Sequence, residues 1–263
     1  MQPGVTPGAI LELHAARANG GVSPGINDPL TTEWYDTSGN GHHGTLVGFA
    51  GTTASGWSAD PYRLVFESTT PGDLVYVADA ATLRFGTGDW SLEMWLTLPW
   101  YGLQSGSNNW VIAKGISTSA PAGTWGVGGI NAPSGSNTLY FRDSYTNGAF
   151  NARISRTLAA GLTHYVVTRA SGVYRVYTGG LLNGSPVTPA NVADLNSTKR
   201  LHLAADFGES PNLAMSLLLV RLYPCALTPE QVAANYAAGF RWLSRRPSGL
   251  LVYQSGRSAA AWQ

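Results

Sequence analysis

Two stretches decide how this chain folds: Asp36 to Leu46, DTSGNGHHGTL, and Leu218 to Val232, LLVRLYPCALTPEQV. The first is a loop dense in Gly, Asn and Ser, residue types that favour turns and hydrogen-bond their own backbone. The second is an apolar strand that runs into a helix start. Thr228 is the cap, Pro229 takes the first helical position and Gln231 stands three residues after the cap, which is the pattern of a capping box. Val232, Tyr236, Phe240 and Leu243 then share one helical face, and that face must lie against an apolar surface.

Between these two ends the chain alternates with period two. In Trp90–Leu98, WSLEMWLTL, the residues Leu92, Met94, Leu96 and Leu98 face one way, and Ser91, Glu93, Trp95 and Thr97 the other. Val173–Thr178 alternates too and ends in Gly179-Gly180, a pair that tolerates positive φ in a hairpin turn. Further strands are predicted over 64–67, 73–78, 110–114, 125–129, 138–143, 163–169, 200–205 and 216–223, with an edge strand in the apolar patch Ala9 to Leu13. Turn-rich segments separate them at fairly even intervals, as in a sandwich or barrel. The expectation is an all-β, two-sheet antiparallel jelly-roll sandwich with a short C-terminal helix and extended terminal arms. Residues 1–35 read as an extended lead-in plus edge strand, 36–243 as the sandwich, and 244–263 as a basic arm carrying three Arg and no acid.

Composition narrows the function classes. Charged residues make up 12% of the 263, about half the usual share. Ser, Thr, Asn, Gly and aromatics must coat the surface instead, which suits sugars and close packing against neighbours. A net charge of +1 supplies no field for phosphates, so nucleic acid is not an expected partner. No apolar run approaches the roughly 18–20 residues of a membrane span, so membrane insertion is not expected. The start MQPGVTPGAILELHAARANGG lacks the basic and apolar regions of a secretion leader. The expected product is soluble and leaves the cell, if at all, by a non-classical route. Cys225 is the one cysteine and reads as a small buried apolar residue.

Six segments, in order, resemble the concanavalin A-like, laminin G-like jelly-roll superfamily, in particular its bacterial and phage branch. They are DTSGNGHHGTL at 36–46, RLVFESTTPGDLVYV at 63–77, WSLEMWLTL at 90–98, LTHYVVTR at 162–169, VYRVYTGGLLNG at 173–184 and LLVRLYPCALTPEQV at 218–232. The resemblance covers about residues 30–240 and implies the jelly-roll fold. Where members place an acidic pair before the closing strand, this chain has Leu218 and Leu219. The scaffold hosts lectins, glycosidases, adhesion modules and virion parts, so fold alone does not settle function.

Catalytic chemistry finds little support. Retaining glucanases resemble one another in a strand with carboxylates at alternate positions, about 5–5.5 Å apart. Here Glu93 is the single carboxylate inside its strand. Gly21-Val22-Ser23-Pro24-Gly25 fits a nucleophile elbow in letters only, with Pro where the helix should start. His164 reads as a satisfied core histidine, and His42 and His43 as loop residues. Asp36 and Asn40 offer oxygens in a Gly-rich turn, so a calcium site stands beside the alternative that both bond to their own loop. Trp100 and Tyr101, with Asn109, Trp110 and Tyr145, combine flat rings with amides, the usual means of holding sugar rings. The alternative is that Trp110 opens a strand and packs inside.

Two functional readings follow. The first is a non-enzymatic structural and interaction protein of a phage virion, a capsid decoration or tail-associated subunit. Its partners would be other virion subunits or further copies of itself, and it could touch host glycans. The second is a bacterial carbohydrate-binding lectin at the cell surface or outside it. A glycoside hydrolase is the least favoured.

Overall fold

The computed structural model describes residues 6–17, 32–59, 62–67, 72–98, 109–115, 122–131, 137–146, 149–158, 161–205 and 213–244. Its strands are β1 (Leu11–His14), β2 (Glu33–Trp34), β3 (Gly44–Val47), β4 (Gly56–Ala59), β5 (Tyr62–Phe66), β6 (Leu74–Val77), β7 (Trp90–Leu98) and β8 (Asn109–Lys114). They continue with β9 (Trp125–Asn131), β10 (Asn137–Thr146), β11 (Ala149–Leu158), β12 (Gly161–Ala170), β13 (Val173–Thr178), β14 (Leu181–Leu182), β15 (Leu201–Leu203) and β16 (Met215–Tyr223). One helix, α1 (Pro229–Ser244), follows them.

The strands form two antiparallel sheets. Sheet I runs β14-β13-β12-β7-β16-β5-β4, and sheet II runs β11-β10-β9-β8-β15-β6-β3-β2. Strand β1 joins sheet I on the second half of β16, where Leu219 pairs with His14, while the first half pairs Met215 with Phe66 of β5. The N-terminal and closing strands are therefore neighbours, as a jelly roll requires.

Alternation along β7 explains the layering. Leu92, Met94 and Leu96 enter the core between the sheets, together with Val127, Phe141, Val167 and Leu217. Rings fill one end of it: Trp90 stacks on Phe85 at 5.2 Å and tilts against Trp125 at 5.4 Å. Such contacts are worth about 0.5–1.5 kcal/mol each beyond the area they bury.

One cation is built into the same end. Arg169 of β12 is fully buried. Its Nε donates to Gly88 O at 2.8 Å, its Nη2 to Gly86 O at 2.7 Å and its Nη1 to Ala193 O at 2.8 Å. The guanidinium thus ties together carbonyls from two loops, adding a second donor to Gly86 O, which Leu195 N already reaches at 2.8 Å. Beside it, the Tyr174 hydroxyl donates to Asp143 Oδ2, tying sheet I to sheet II.

The helix begins as its sequence specifies. Gln231 Oε1 accepts from Thr228 N at 2.9 Å, and Thr228 Oγ1 accepts from Gln231 N at 3.3 Å, a reciprocal box. Cys225 departs from expectation: it is exposed, in the turn after β16. Strands β2, β3, β4, β11 and β14 are additions to the sequence reading. The arm at 245–263 lies outside the described residues.

Candidate recognition surface

The two outer faces of the sandwich differ, and the difference follows from where α1 lies. On sheet I one cross-strand row reads Glu12, Arg221, Glu93, Val166, Tyr177 and Leu182. Outward positions like these normally meet water. Here Ser91, Glu93, Trp95, Val166, Tyr177 and Arg221 are all buried, under α1, the turn that leads into it (Ser91 Oγ donates to Cys225 O) and, for Arg221, beside Glu12 of β1. Tyr236 stacks on Trp95 at 5.6 Å with ring planes 3° apart. Gly239 lets the helix come close: a Cβ there would sit 2.7 Å from Trp95 Cζ2. Leu218 and Leu219 complete this apolar contact with Trp95.

Glu93 is the polar centre beneath the helix. His164 Nε2 lies 3.1 Å from its Oε1, while Tyr223 Oη donates to Oε2 at 2.9 Å and Asn235 Nδ2 at 2.8 Å. Arg221 Nη1 stands 3.5 Å from Oε2, and Arg221 Nε donates to Glu12 Oε2 at 2.8 Å. Burial by itself would raise the Glu93 carboxyl. The His164 hydrogen bond and the Arg221 charge outweigh it and pull the pKa down to about 2. Burial would lower the Arg221 guanidinium, yet the Glu93 charge beside it pushes it upward. Burial and the same carboxylate drive the Tyr223 phenol upward. An ionised acid with this many donors, sealed from solvent, is poised to hold a helix and badly placed to protonate a glycosidic oxygen. His164 sits in the buried cluster, as its sequence context implied.

Sheet II carries no helix on its outer face among the described residues. A single row crosses all eight of its strands: Glu33, Thr45, Tyr76, His202, Ala113, Gly126, Arg142 and Arg153. The next outward row holds Trp110, Gly128, Tyr140 and Ser155. The glycines of β9 make a floor. A Cβ at Gly126 would meet the Trp110 ring at 2.9 Å, and one at Gly128 the Tyr140 ring at 2.5 Å. Trp110 and Tyr140 lie on that floor edge to face, 5.8 Å apart. Two guanidinium groups stack on rings of this face: Arg142 over Tyr140 and Arg200 over Tyr76, both at 4.3 Å. Tyr76 and Arg142 are half-buried and Arg200 is exposed.

The residues singled out for sugar contact fall in different places. Asn109 and Trp110 open β8 and are both fully buried, so neither offers a face to a soluble sugar in this conformation. Tyr145 belongs to β10 by its backbone, and its side chain lies outside the described residues, as do Trp100 and Tyr101. Sequence reasoning missed Tyr76, Arg142 and Arg200, and with them Tyr140 and His202, which are buried on the same face. The signal was present in β9, Trp125–Asn131, where WGVGGIN puts small residues at outward positions and implies a ring lying over them.

Asp36 and Asn40 are used by the chain itself. Asp36 Oδ1 accepts from the backbone N–H groups of Glu12 and Ser38 at 2.9 Å each. Its Oδ2 accepts from Ser38 Oγ at 2.8 Å and His42 N at 2.9 Å. Asn40 Nδ2 donates to Ile10 O at 3.1 Å and to Ser38 Oγ at 3.0 Å. A calcium ion would have to displace donors already seated on Asp36. Among the described residues there is no group of three or more His, Cys, Asp or Glu side chains able to hold a metal ion. None of their helices is long and apolar enough to cross a membrane.

No curated protein matches the sequence. Among solved structures, the binding domain of botulinum neurotoxin DC in complex with rat synaptotagmin II is similar, with a TM-score of 0.62 at 14% identity over 88% of this chain and 52% of that one. The binding domain of Paraclostridial Mosquitocidal Protein 1 gives 0.59 at 13% identity, over 89% of this chain and 52% of that one. The botulinum DC binding domain in complex with SialylT gives 0.56 at 13% identity, over 81% and 52%. The chain spans about half the length of these structures, and at such identities the likeness shows the fold alone. In sequence, the model of the concanavalin A-like lectin/glucanases superfamily matches residues 69–233, more than half of the chain, and this protein belongs to that family.

Proposed function

We propose that this chain is a recognition module that holds its target and performs no chemistry on it. It would be mounted on a phage particle as a capsid decoration or tail-associated subunit, contacting host-surface glycans through the outer face of sheet II. The observation that carries the reading is the asymmetry of the faces. The one acid in the middle of β7 is sealed under α1, while the outer face of sheet II leaves Tyr76 and Arg142 half-buried and Arg200 exposed beside the buried rings of Trp110 and Tyr140. Flat rings beside hydrogen-bond donors suit sugar rings. Placement on a particle draws its support from composition: 12% charged residues and a basic C-terminal arm fit packing against neighbouring subunits.

A second reading, a free lectin or receptor-binding domain of a bacterium, is favoured by the similar toxin domains, whose structures hold synaptotagmin II in one case and SialylT in another. Two experiments separate them. A mass-spectrometric inventory of purified particles should contain this chain in many copies, and deletion of residues 244–263 should abolish its incorporation. A glycan array should give binding that falls on Tyr76→Ala or Arg200→Ala and on Trp100→Ala. Absence from particles, with array binding retained, would leave the lectin. No binding by the folded protein would remove the glycan-contact part of both readings.

A further inference from the structure

We propose that the Asn40–Gly41 peptide is a site of spontaneous deamidation, and that its conversion unties the N-terminal strand β1 from the loop that anchors it. The proposal stands apart from the recognition reading and rests on how two of the chain's four Asn-Gly steps are held, Asn40–Gly41 and Asn183–Gly184, the other two (19–20 and 147–148) lying outside the described residues.

At the first step Asn40 is exposed, and Gly39 and Gly41 have φ of +94° and +74°. A Cβ built at either glycine would find nothing within 4 Å, so the backbone around Asn40 is open on both sides. Glycine after asparagine leaves the following amide nitrogen unshielded by a side chain. At the second step, Asn183–Gly184, the chain is clamped. The Arg156 guanidinium lies 2.7 Å from where a Gly184 Cβ would be, and it donates to Asn183 O and, at 2.8 Å, to Ser185 O. The Asn183 N–H is fixed on Val176 O at 2.8 Å and its side-chain amide on Thr178 Oγ1 at 3.1 Å. Cyclisation needs local rotation: at Asn40 it must release the N–H and Nδ2 from Ser38 Oγ and Ile10 O, in an exposed loop with open space at both glycines, while at Asn183 it must also break the Arg156 clamp across the Gly184 peptide.

The chemistry needs water alone. The Gly41 backbone nitrogen loses its proton to solvent hydroxide and attacks Asn40 Cγ. The new C–N bond closes a succinimide, and the side-chain nitrogen leaves as ammonia. Water then opens the ring at either carbonyl to give aspartate or isoaspartate. The product loses the Nδ2 donor that reaches Ile10 O at 3.1 Å and Ser38 Oγ at 3.0 Å. A carboxylate oxygen now faces the Ile10 carbonyl, and a second negative charge stands in the Asp36 loop. That loop anchors β1 through Glu12 N on Asp36 Oδ1 and Thr37 N on Glu12 O, both within 2.9 Å.

The test ages the intact protein in mildly alkaline buffer and follows each Asn-Gly peptide by mass spectrometry. Hydrogen exchange is read over residues 9–14 in the fresh, aged and Asn40→Asp proteins. The expected result is conversion at Asn40 well ahead of Asn183. Exchange over 9–14 should quicken about fivefold to tenfold in the aged and Asn40→Asp forms, the effect of losing one net hydrogen bond. An unconverted Asn40 overturns the site, whatever Asn183 does. Equal rates at the two steps overturn the geometric argument, and conversion without faster exchange overturns the untying.

Discussion

Asn235, on the buried side of α1, donates to Glu93 Oε2 at 2.8 Å, joining side chains 142 residues apart in the chain. The same side chain accepts from Thr6 N at 2.8 Å through Oδ1. Helix, sheet and N-terminal segment therefore meet at one amide, and the carboxylate beneath it is the point on which they converge.

Removing that carboxylate leaves His164 Nε2 buried without its partner and Arg221 with Glu12 alone. Glu93→Ala should cost about 3–5 kcal/mol. Asn235→Ala should cost about 1–3 kcal/mol, because the hydroxyl and carboxylate remain paired with each other. Thermal and denaturant melts measure both, and an unaltered Tm for Glu93→Ala would contradict the role given to it.

Acid should act through the same group. The Glu93 carboxyl sits near 2 when folded against 4.5 as its ordinary value, so the folded state binds fewer protons between those limits. Its contribution is complete above about 4.5 and is lost as pH falls toward 2. Glu12, for which burial works upward but Arg221 and Thr37 prevail, shifts downward and adds in the same sense. Denaturant melts of wild type and Glu93→Gln across this range should converge as pH drops. Parallel curves would show that another group sets the acid limit.

Gly239→Ala sets two effects against each other. Alanine favours a helix over glycine by about 1 kcal/mol. Its Cβ would lie 2.7 Å from the Trp95 ring, and overpacking costs about 1–3 kcal/mol. The clash should win, with a lower Tm and altered tryptophan fluorescence as the Trp95–Tyr236 stack opens. A stabilised variant would mean that α1 rides further from sheet I.

Asp36→Ala orphans the N–H groups of Glu12, Ser38 and His42, and should cost about 1–3 kcal/mol. With those donors seated on the carboxylate, calcium and chelator should both leave the wild-type Tm unchanged. A rise in Tm on adding calcium, lost in Asp36→Ala and Asn40→Ala, would restore the cation to this loop.

Much of the architecture was legible because it rests on local rules. Alternation in Trp90–Leu98 assigned each residue to its face, and Thr228, Pro229 and Gln231 located the helix start. Strand β11 escaped because AFNARISRTL shows no alternation: Phe150, Ile154 and Leu158 recur every fourth residue, and β10 is its one partner in the sheet. The outer faces were harder. Glu93 could be assigned outward, but its seal depends on a helix more than 130 residues later and on an arginine in another strand. Trp110 was visible as an aromatic beside amides; the room for its ring against the sheet depends on the β9 glycines pairing alongside, a matter of register.

The arginine at the core's aromatic end constrains how this rim can change. Arg169 donates to the carbonyls of Gly86, Gly88 and Ala193 at once, so both loops are cut to the reach of a single side chain. Lengthening either would strand a cation away from water, an outcome worse than losing a few contacts. Grafts and insertions are best kept away from these loops, whose conformation is as fixed as that of the sheets they join.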